Sequence, residues 1–274
     1  MTLKRHLPGW RSDTPAAFLL DGRRADTMTL VACVGDSITQ GQVSANYVEM
    51  LRRRWGPAGF QFINAGVNGD LAFNVANRLD AVIACQPDVV TLLVGTNDVN
   101  ARFNEKWEQR YRKGQGLPCS PTAEWFRENI ETTLTRLSTE TQARVMVLEI
   151  PPLGEDPLSR MNGLVDTYNL ELAAAATTHG ASYLALNSRL RSLLPTVPSP
   201  PPYEGNIAKI MKAAVQHLIL RRSWDTISRR NGLTLLTDHI HLNERAAATV
   251  AQLISENLVE HHAPTQQLTT DNQN

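Results

Sequence analysis

Met28 to Ile38 reads M-T-L-V-A-C-V-G-D-S-I, a mostly apolar run that stops at Gly35-Asp36-Ser37-Ile38. A short run of this kind, closed by a turn signal, predicts a buried strand with a helix opening behind it. Phe60 to Ala65, Asp88 to Val94, Arg144 to Ile150 and Ala181 to Leu186 repeat the pattern. The D-V-V-T-L-L-V run ends at Gly95, and Pro151 and Pro152 stop the next one. Helix-period segments fill the gaps at Asn46 to Trp55, Ala72 to Ala84, Glu124 to Leu137 and Leu164 to Thr177. A last helix is expected from Asn243, a suitable cap, to about Val259. Near-continuous apolar strands alternating with helices predict an α/β fold whose parallel five-stranded sheet is covered on both faces. In such sheets ligands bind at the carboxyl ends of the strands.

Composition narrows the function. The chain has 274 residues, with 27 Lys plus Arg against 27 Asp plus Glu. Without net charge it has no global field to attract nucleic acid, and no nucleic-acid partner is expected. The 42% hydrophobic content supports a sizeable core. No stretch approaches the ~18 consecutive apolar residues of a membrane span. Lys4 and Arg5 precede a short apolar run, Ala16 to Leu20, that Asp21 ends, too short for a signal-peptide core, so a cytoplasmic location is expected. Cys33, Cys85 and Cys119 are odd in number and lack a C-x-x-C pair, so neither a disulfide framework nor a zinc site is indicated. One domain is expected, with a core of about 28–259, insertions at about 100–120 and 195–232, and a frayed polar tail at 264–274.

Three small polar turns follow successive strands. Ser37 in Gly35-Asp36-Ser37-Ile38 sits where helix N-terminal N–H groups can stabilise an oxyanion, though a lone serine there also serves as a cap. The elbow pattern G-x-S-x-G is absent, because Thr39 stands at the second glycine position. Asn64-Ala65-Gly66-Val67-Asn68-Gly69 follows the second strand, and Gly66 lets its backbone approach a ligand closely. Gly95-Thr96-Asn97-Asp98 follows the third, and the Asn97 amide can donate a hydrogen bond into the cleft.

A serine hydroxyl needs a base. Of seven histidines, only those in Asp238-His239-Ile240-His241 have a carboxylate at useful spacing. A carboxylate three residues before an imidazole can turn back onto its Nδ1–H and leave Nε2 free, which suits Asp238 and His241. His239 is the competitor, and adjacent side chains in an extended segment point apart.

Ser37 in G-D-S-I, Gly66 in N-A-G-V-N-G, Asn97 in G-T-N-D and His241 in D-H-I-H occur in this order. Over about Met28 to Val259 the chain resembles the SGNH hydrolase superfamily, the GDSL lipases or esterases. The resemblance implies a three-layer α/β/α sandwich with a flavodoxin-like sheet and a serine hydrolase that needs no cofactor and no metal. It implies Ser37 as nucleophile, His241 as base and Asp238 as its orienter. The oxyanion hole it implies combines the backbone N–H groups of Ser37 and Gly66 with the Asn97 side chain. Ile38 replaces the leucine of the name motif, and His239 is less usual between the last Asp and His.

Substrate choice is left open among small or lipid-like carboxylic esters, acyl thioesters and O-acetylated carbohydrates, since one fold serves them all. A catalytically silent ligand-binding relative is the other class of reading, and a nucleotide-binding protein a more distant one. The Arg-rich segment Asn100 to Ser120 either reaches the cleft, with Arg110 and Arg112 meeting an anionic group, or is a solvated flap with packed aromatics. Ile207 to Arg222 predicts an amphipathic helix that packs on the core, covers the acyl site or contacts a membrane surface.

Overall fold

The structure, a computed structural model, describes residues 13–195 and 200–259. The N-terminal reading at Lys4 and Arg5, Pro198 within the Pro-rich stretch and the tail at 264–274 lie outside these residues. Five strands form, β1 (Thr29–Gly35), β2 (Phe60–Gly66), β3 (Val89–Leu93), β4 (Arg144–Leu148) and β5 (Ser182–Leu184). All pairs are parallel, in the order β2-β1-β3-β4-β5. The connections leave β1 in opposite directions, so a crevice opens at its carboxyl end. Register brings Gly35 level with both Gly66 and Leu93, which gathers the turns after three strands at one place.

Alternation along β1 makes the three layers. Leu30, Ala32 and Val34 enter one core with Val75, Phe126, Ile130, Val165 and Leu172 from the helices on that face. Val31 and Cys33 enter the other, with Leu51, Val250 and Ile254. Each such side chain contributes roughly 1.5–3 kcal/mol by leaving water. Asn243 caps the helix Glu244–Val259, its Oδ1 accepting from the Ala246 N–H at 3.0 Å.

The expected helix Ala72 to Ala84 is two, Ala72–Asn77 and Asp80–Ala84. The break falls at Arg78, whose guanidinium pairs with Asp70 at 2.6 Å and donates to the Gly35 carbonyl at 2.9 Å. The helix expected from Leu164 starts at Arg160, because Ser159 caps it. The run Ala16 to Leu20 lies in a short helix, Pro15–Asp21, capped by Thr14.

The first insertion folds as Thr96–Ala101 and Glu105–Gly114, with Trp107, Tyr111 and Leu117 packed on Leu71 and Ala101. In the second, Ile207–Leu218 docks through residues of both kinds: Ile207, Ile210 and Ala213 pack on the hydrophobic clusters, while His217 stacks on Trp224 at 3.9 Å and Gln216 accepts from Arg222. The rest of its apolar side is exposed, Met211 by 59%, Leu218 by 65% and Ile219 by 70%. Among the described residues no helix is long and apolar enough to cross a membrane.

Candidate active site

Ser37 opens the four-residue helix Ser37–Gln40, which Asp36 caps by accepting from the Ile38 N–H at 2.9 Å. This turn packs so tightly against the neighbouring strand ends that a Cβ on Gly66 would lie 2.2 Å from the Gln40 nitrogen. Glycine is required there for close approach, not for a left-handed backbone.

The other half of the site is the loop before the last helix. A single antiparallel bridge, Leu236 to Leu242, closes it, and the Thr237 N–H donates to the His241 carbonyl at 2.8 Å. The buried Glu155 carboxylate accepts from the N–H groups of Thr234, Leu235 and Leu236 at 2.7–3.0 Å. Ser44 Oγ accepts from the Leu242 N–H at 3.0 Å and thus ties the loop to the chain leaving the Ser37 turn. His239 takes a φ of 76°, and this left-handed step separates the two imidazoles.

The result is a buried chain of contacts. Ser37 Oγ lies 3.0 Å from His241 Nε2, and His241 Nδ1 lies 2.8 Å from Asp238 Oδ2. Asp238 Oδ1 accepts from the Ile240 and His241 N–H groups at 3.1 and 2.9 Å, which fixes the carboxylate. Burial pushes the Asp238 carboxyl up, but the charge and hydrogen bonds of His241 outweigh it and hold it below the ordinary carboxylate value. Burial likewise pulls His241 down, and Asp238 more than reverses this, leaving the imidazole raised. His239 faces elsewhere, its ring 6.0 Å from that of Tyr203.

Asn97 is buried beside Ser37. Its Nδ2 donates to the Asp70 carbonyl at 2.9 Å and lies 3.4 Å from Asp36 Oδ2, while its Oδ1 accepts from the Tyr111 hydroxyl at 2.7 Å. The Gly66 N–H donates to Asn64 Oδ1 at 3.0 Å. Three carboxyl groups that sequence reasoning passed over lie below. Burial pushes Asp36 up to about 7 and Asp98 up to about 8, and it also raises Asp70 despite Arg78. Asp36 and Asp98 stand inside quoted motifs and were open to reading as turn caps. Glu155 carries no local signal, since its partners lie some eighty positions away.

A cavity of about 690 Å³ reaches Ser37, Asn97 and His241. Val43, Trp107, Ile207, Ile210, Met211 and Ile240 form its apolar wall, and Arg110 and Lys113 stand at its polar side. The helix of the second insertion thus walls the cleft. Arg112, expected there with Arg110, does not line it, because residues three apart share a helix face and those two apart do not. Among the described residues no group of three or more His, Cys, Asp or Glu side chains is placed to hold a metal ion.

A parallel α/β sheet with a serine and an imidazole in contact at its carboxyl edge is a frame suited to acyl transfer. The model of the GDSL-like lipase/acylhydrolase family matches residues 33–248. The chain belongs to this family and is a carboxylic ester hydrolase. Its fold is similar to that of an acetylxylan esterase from Geobacillus stearothermophilus, at 14% identity and a TM-score of 0.60 over 85% of this chain and 94% of that one. A second acetylxylan esterase is 18% identical, with a TM-score of 0.58 over 84% of this chain and 99% of that one. At such identities the likeness is one of fold. A comparison with proteins of curated function finds no match.

Proposed function

We propose that Ser37, His241 and Asp238 form a catalytic triad that hydrolyses carboxylic esters with an apolar acyl group through an acyl-enzyme. Ser37 Oγ attacks the carbonyl carbon as its proton passes to His241 Nε2. The oxyanion accepts hydrogen bonds from the Ser37 and Gly66 backbone N–H groups and from Asn97 Nδ2. Asn64 Oδ1 gives up the Gly66 N–H in this step, because a charged oxygen is a stronger acceptor than a neutral amide. The intermediate collapses, the ester C–O bond breaks, and His241 returns the proton to the leaving alcohol. Water then attacks the acyl carbon, with His241 again taking the proton, and the acid leaves Ser37.

The observation that carries this reading is the continuous contact from Ser37 Oγ through His241 to Asp238, at 3.0 and 2.8 Å. The apolar wall of the cavity supports an acyl group larger than acetyl. Arg110 and Lys113 support a leaving group that carries an anion. The O-acetylesterase activity named for the fold relatives is the second reading of the same site. Buried Cys33 and Cys85 and exposed Cys119, all free thiols, support a reducing, cytoplasmic setting.

The test joins labelling to turnover. A fluorophosphonate is expected to label Ser37, and the labelling to vanish in His241→Ala; an unlabelled wild type means a silent relative. With p-nitrophenyl esters of rising chain length, an acyl thioester and an acetylated xylooligosaccharide, the highest kcat/KM is expected on a medium-chain ester. Preference for the acetylated sugar overturns the acyl-group assignment. Arg110→Gln with Lys113→Gln is expected to reduce the anionic-to-neutral ester ratio roughly threefold to tenfold, since exposed ion pairs are worth ~0.2–1 kcal/mol each. An unchanged ratio removes the anionic leaving group from the proposal.

A further inference from the structure

Beyond Asn97 the hydrogen bonding does not stop. Tyr111 Oη donates to Asn97 Oδ1 at 2.7 Å and itself accepts from Asn100 Nδ2 at 3.0 Å. Asn100 Oδ1 in turn accepts from the Tyr203 hydroxyl. Asn97, Asn100 and Tyr111 are buried, and Tyr203 is half-buried against Phe103 at 5.1 Å between ring centres.

The direction of every bond is determined. The Asp70 carbonyl has no proton to give, so the NH2 of Asn97 must face it and Oδ1 must face Tyr111. The Tyr111 proton is then committed to Asn97, so Asn100 presents its NH2 to Tyr111 and its oxygen to Tyr203. All the donors therefore point the same way along the chain, from Tyr203 to the second N–H of Asn97. Aligned hydrogen bonds polarise one another by ~10–30% each, and here the sum reaches the second Asn97 N–H, which points to Asp36 Oδ2 at 3.4 Å and turns to the oxyanion in the proposed mechanism.

We infer that Tyr111, Asn100 and Tyr203 are positioning residues that aim and polarise the Asn97 amide, so that both insertions take part in turnover. The inference rests on the reading of Asn97 as an oxyanion donor. Tyr111 comes from the first insertion and Tyr203 from the second, and the two are clasped again by the Trp107 Nε1–H donating to the Gly205 carbonyl at 2.8 Å. Burial holds the Tyr111 phenol far above its ordinary value, so it keeps its proton throughout the working pH range. Without that hydroxyl, Asn97 Oδ1 is a buried acceptor with no donor, and the amide is free to turn away from the intermediate.

Tyr111→Phe retains the ring beside Trp107 and removes only the hydroxyl. With a single p-nitrophenyl ester its kcat is expected to fall roughly tenfold with KM nearly constant, the loss a broken buried hydrogen bond produces. Asn97→Ala should be ~10²–10³ slower than wild type. Adding Tyr111→Phe to Asn97→Ala should then change kcat less than about twofold, because Tyr111 acts only through the missing amide. Wild-type kcat in Tyr111→Phe, or the same tenfold loss in both backgrounds, overturns the relay. Wild-type kcat in Asn97→Ala sinks the oxyanion reading itself, a distinguishable failure. If Tyr111→Phe does not fold, Tyr203→Phe carries the same pair of comparisons with an expected loss of roughly twofold to threefold, and full kcat there overturns the relay.

Discussion

Replacing Asp238 by Asn tests the triad with little change of shape. Asp238 Oδ1 accepts two backbone N–H groups, and its Oδ2 receives the Nδ1–H of His241 at 2.8 Å. An asparagine oxygen can keep the two backbone bonds. The NH2 then takes the place of Oδ2 and donates to Nδ1, which drives the ring proton to Nε2. That proton faces Ser37 Oγ at 3.0 Å, where the mechanism needs a lone pair. The expected loss in kcat is ~10⁴, or about 5 kcal/mol of barrier. Stability should fall by only about 1 kcal/mol, the difference between a charged and a neutral hydrogen bond. Asp238→Ala is the contrast, since it leaves both N–H groups without their acceptor and should cost at least about 2 kcal/mol in denaturant unfolding. Turnover in Asp238→Asn within tenfold of wild type, with the fold intact, refutes the orienting role.

Two further outcomes follow from the electrostatics and the loop. His241 must be neutral to act, and Asp238 lifts its pKa above the ordinary 6.5, so the acid limb of kcat/KM should lie above 6.5. A limb at or below 6.5 in a pH–rate profile contradicts the pairing. The linkage has the opposite sign for stability: the raised imidazole stabilises the fold below its unfolded value, and this contribution disappears as pH rises through the folded one. Glu155→Ala removes the acceptor of three N–H groups in the loop that carries Asp238 and His241, the proposed triad acid and base. It should destabilise by about 3 kcal/mol or more and lower kcat as well; unchanged unfolding and activity would show that the loop holds itself.

Features that depend on local rules were legible in the sequence. The strands from Met28, Phe60 and Asp88 appear within a residue or so of their expected starts, because apolar runs closed by glycine say little else. The strand register gathers the turns of Ser37, Gly66 and Asn97, and the Asp238-to-His241 spacing beside the last helix cap made the other half of the site legible, although its tie to the Ser37 turn through Ser44 and Leu242 was not. What escaped depends on contacts remote in sequence. The break at Arg78 answers to Asp70 and the Gly35 carbonyl, and Glu155 answers to a loop far downstream. The amphipathic helix from Ile207 was legible as a helix, but its apolar period could not reveal that His217 and Gln216, on the polar side, dock alongside Ile207 and Ile210. Tyr111 read as a packed aromatic, which it is; that its hydroxyl also reaches Asn97 belongs to the fold of the insertion.

The buried carboxyl groups raise a question the triad alone does not answer. In the proposed mechanism an oxyanion forms beside Asn97, yet Asp36 Oδ2 lies 3.4 Å from the same amide nitrogen and Asp98 and Asp70 lie close by. Ionised carboxylates there would oppose the intermediate. Two different devices limit that opposition. Burial raises Asp36 to about 7 and Asp98 to about 8, so both hold protons through much of the range where carboxylates are normally charged. Arg78 neutralises Asp70 directly at 2.6 Å. The arrangement has a cost that follows from linkage, because the native state keeps protons the unfolded chain releases and its stability falls as pH rises from about 3.8 towards 7 or 8. In the proposed mechanism, deprotonating these groups is expected to set an alkaline bound on turnover, and the raised His241 the acid bound. The rate is therefore expected to fall as pH rises through the values of Asp36, about 7, and Asp98, about 8, and a pH–rate profile that stays level well above 8 contradicts this role of the buried carboxyl groups.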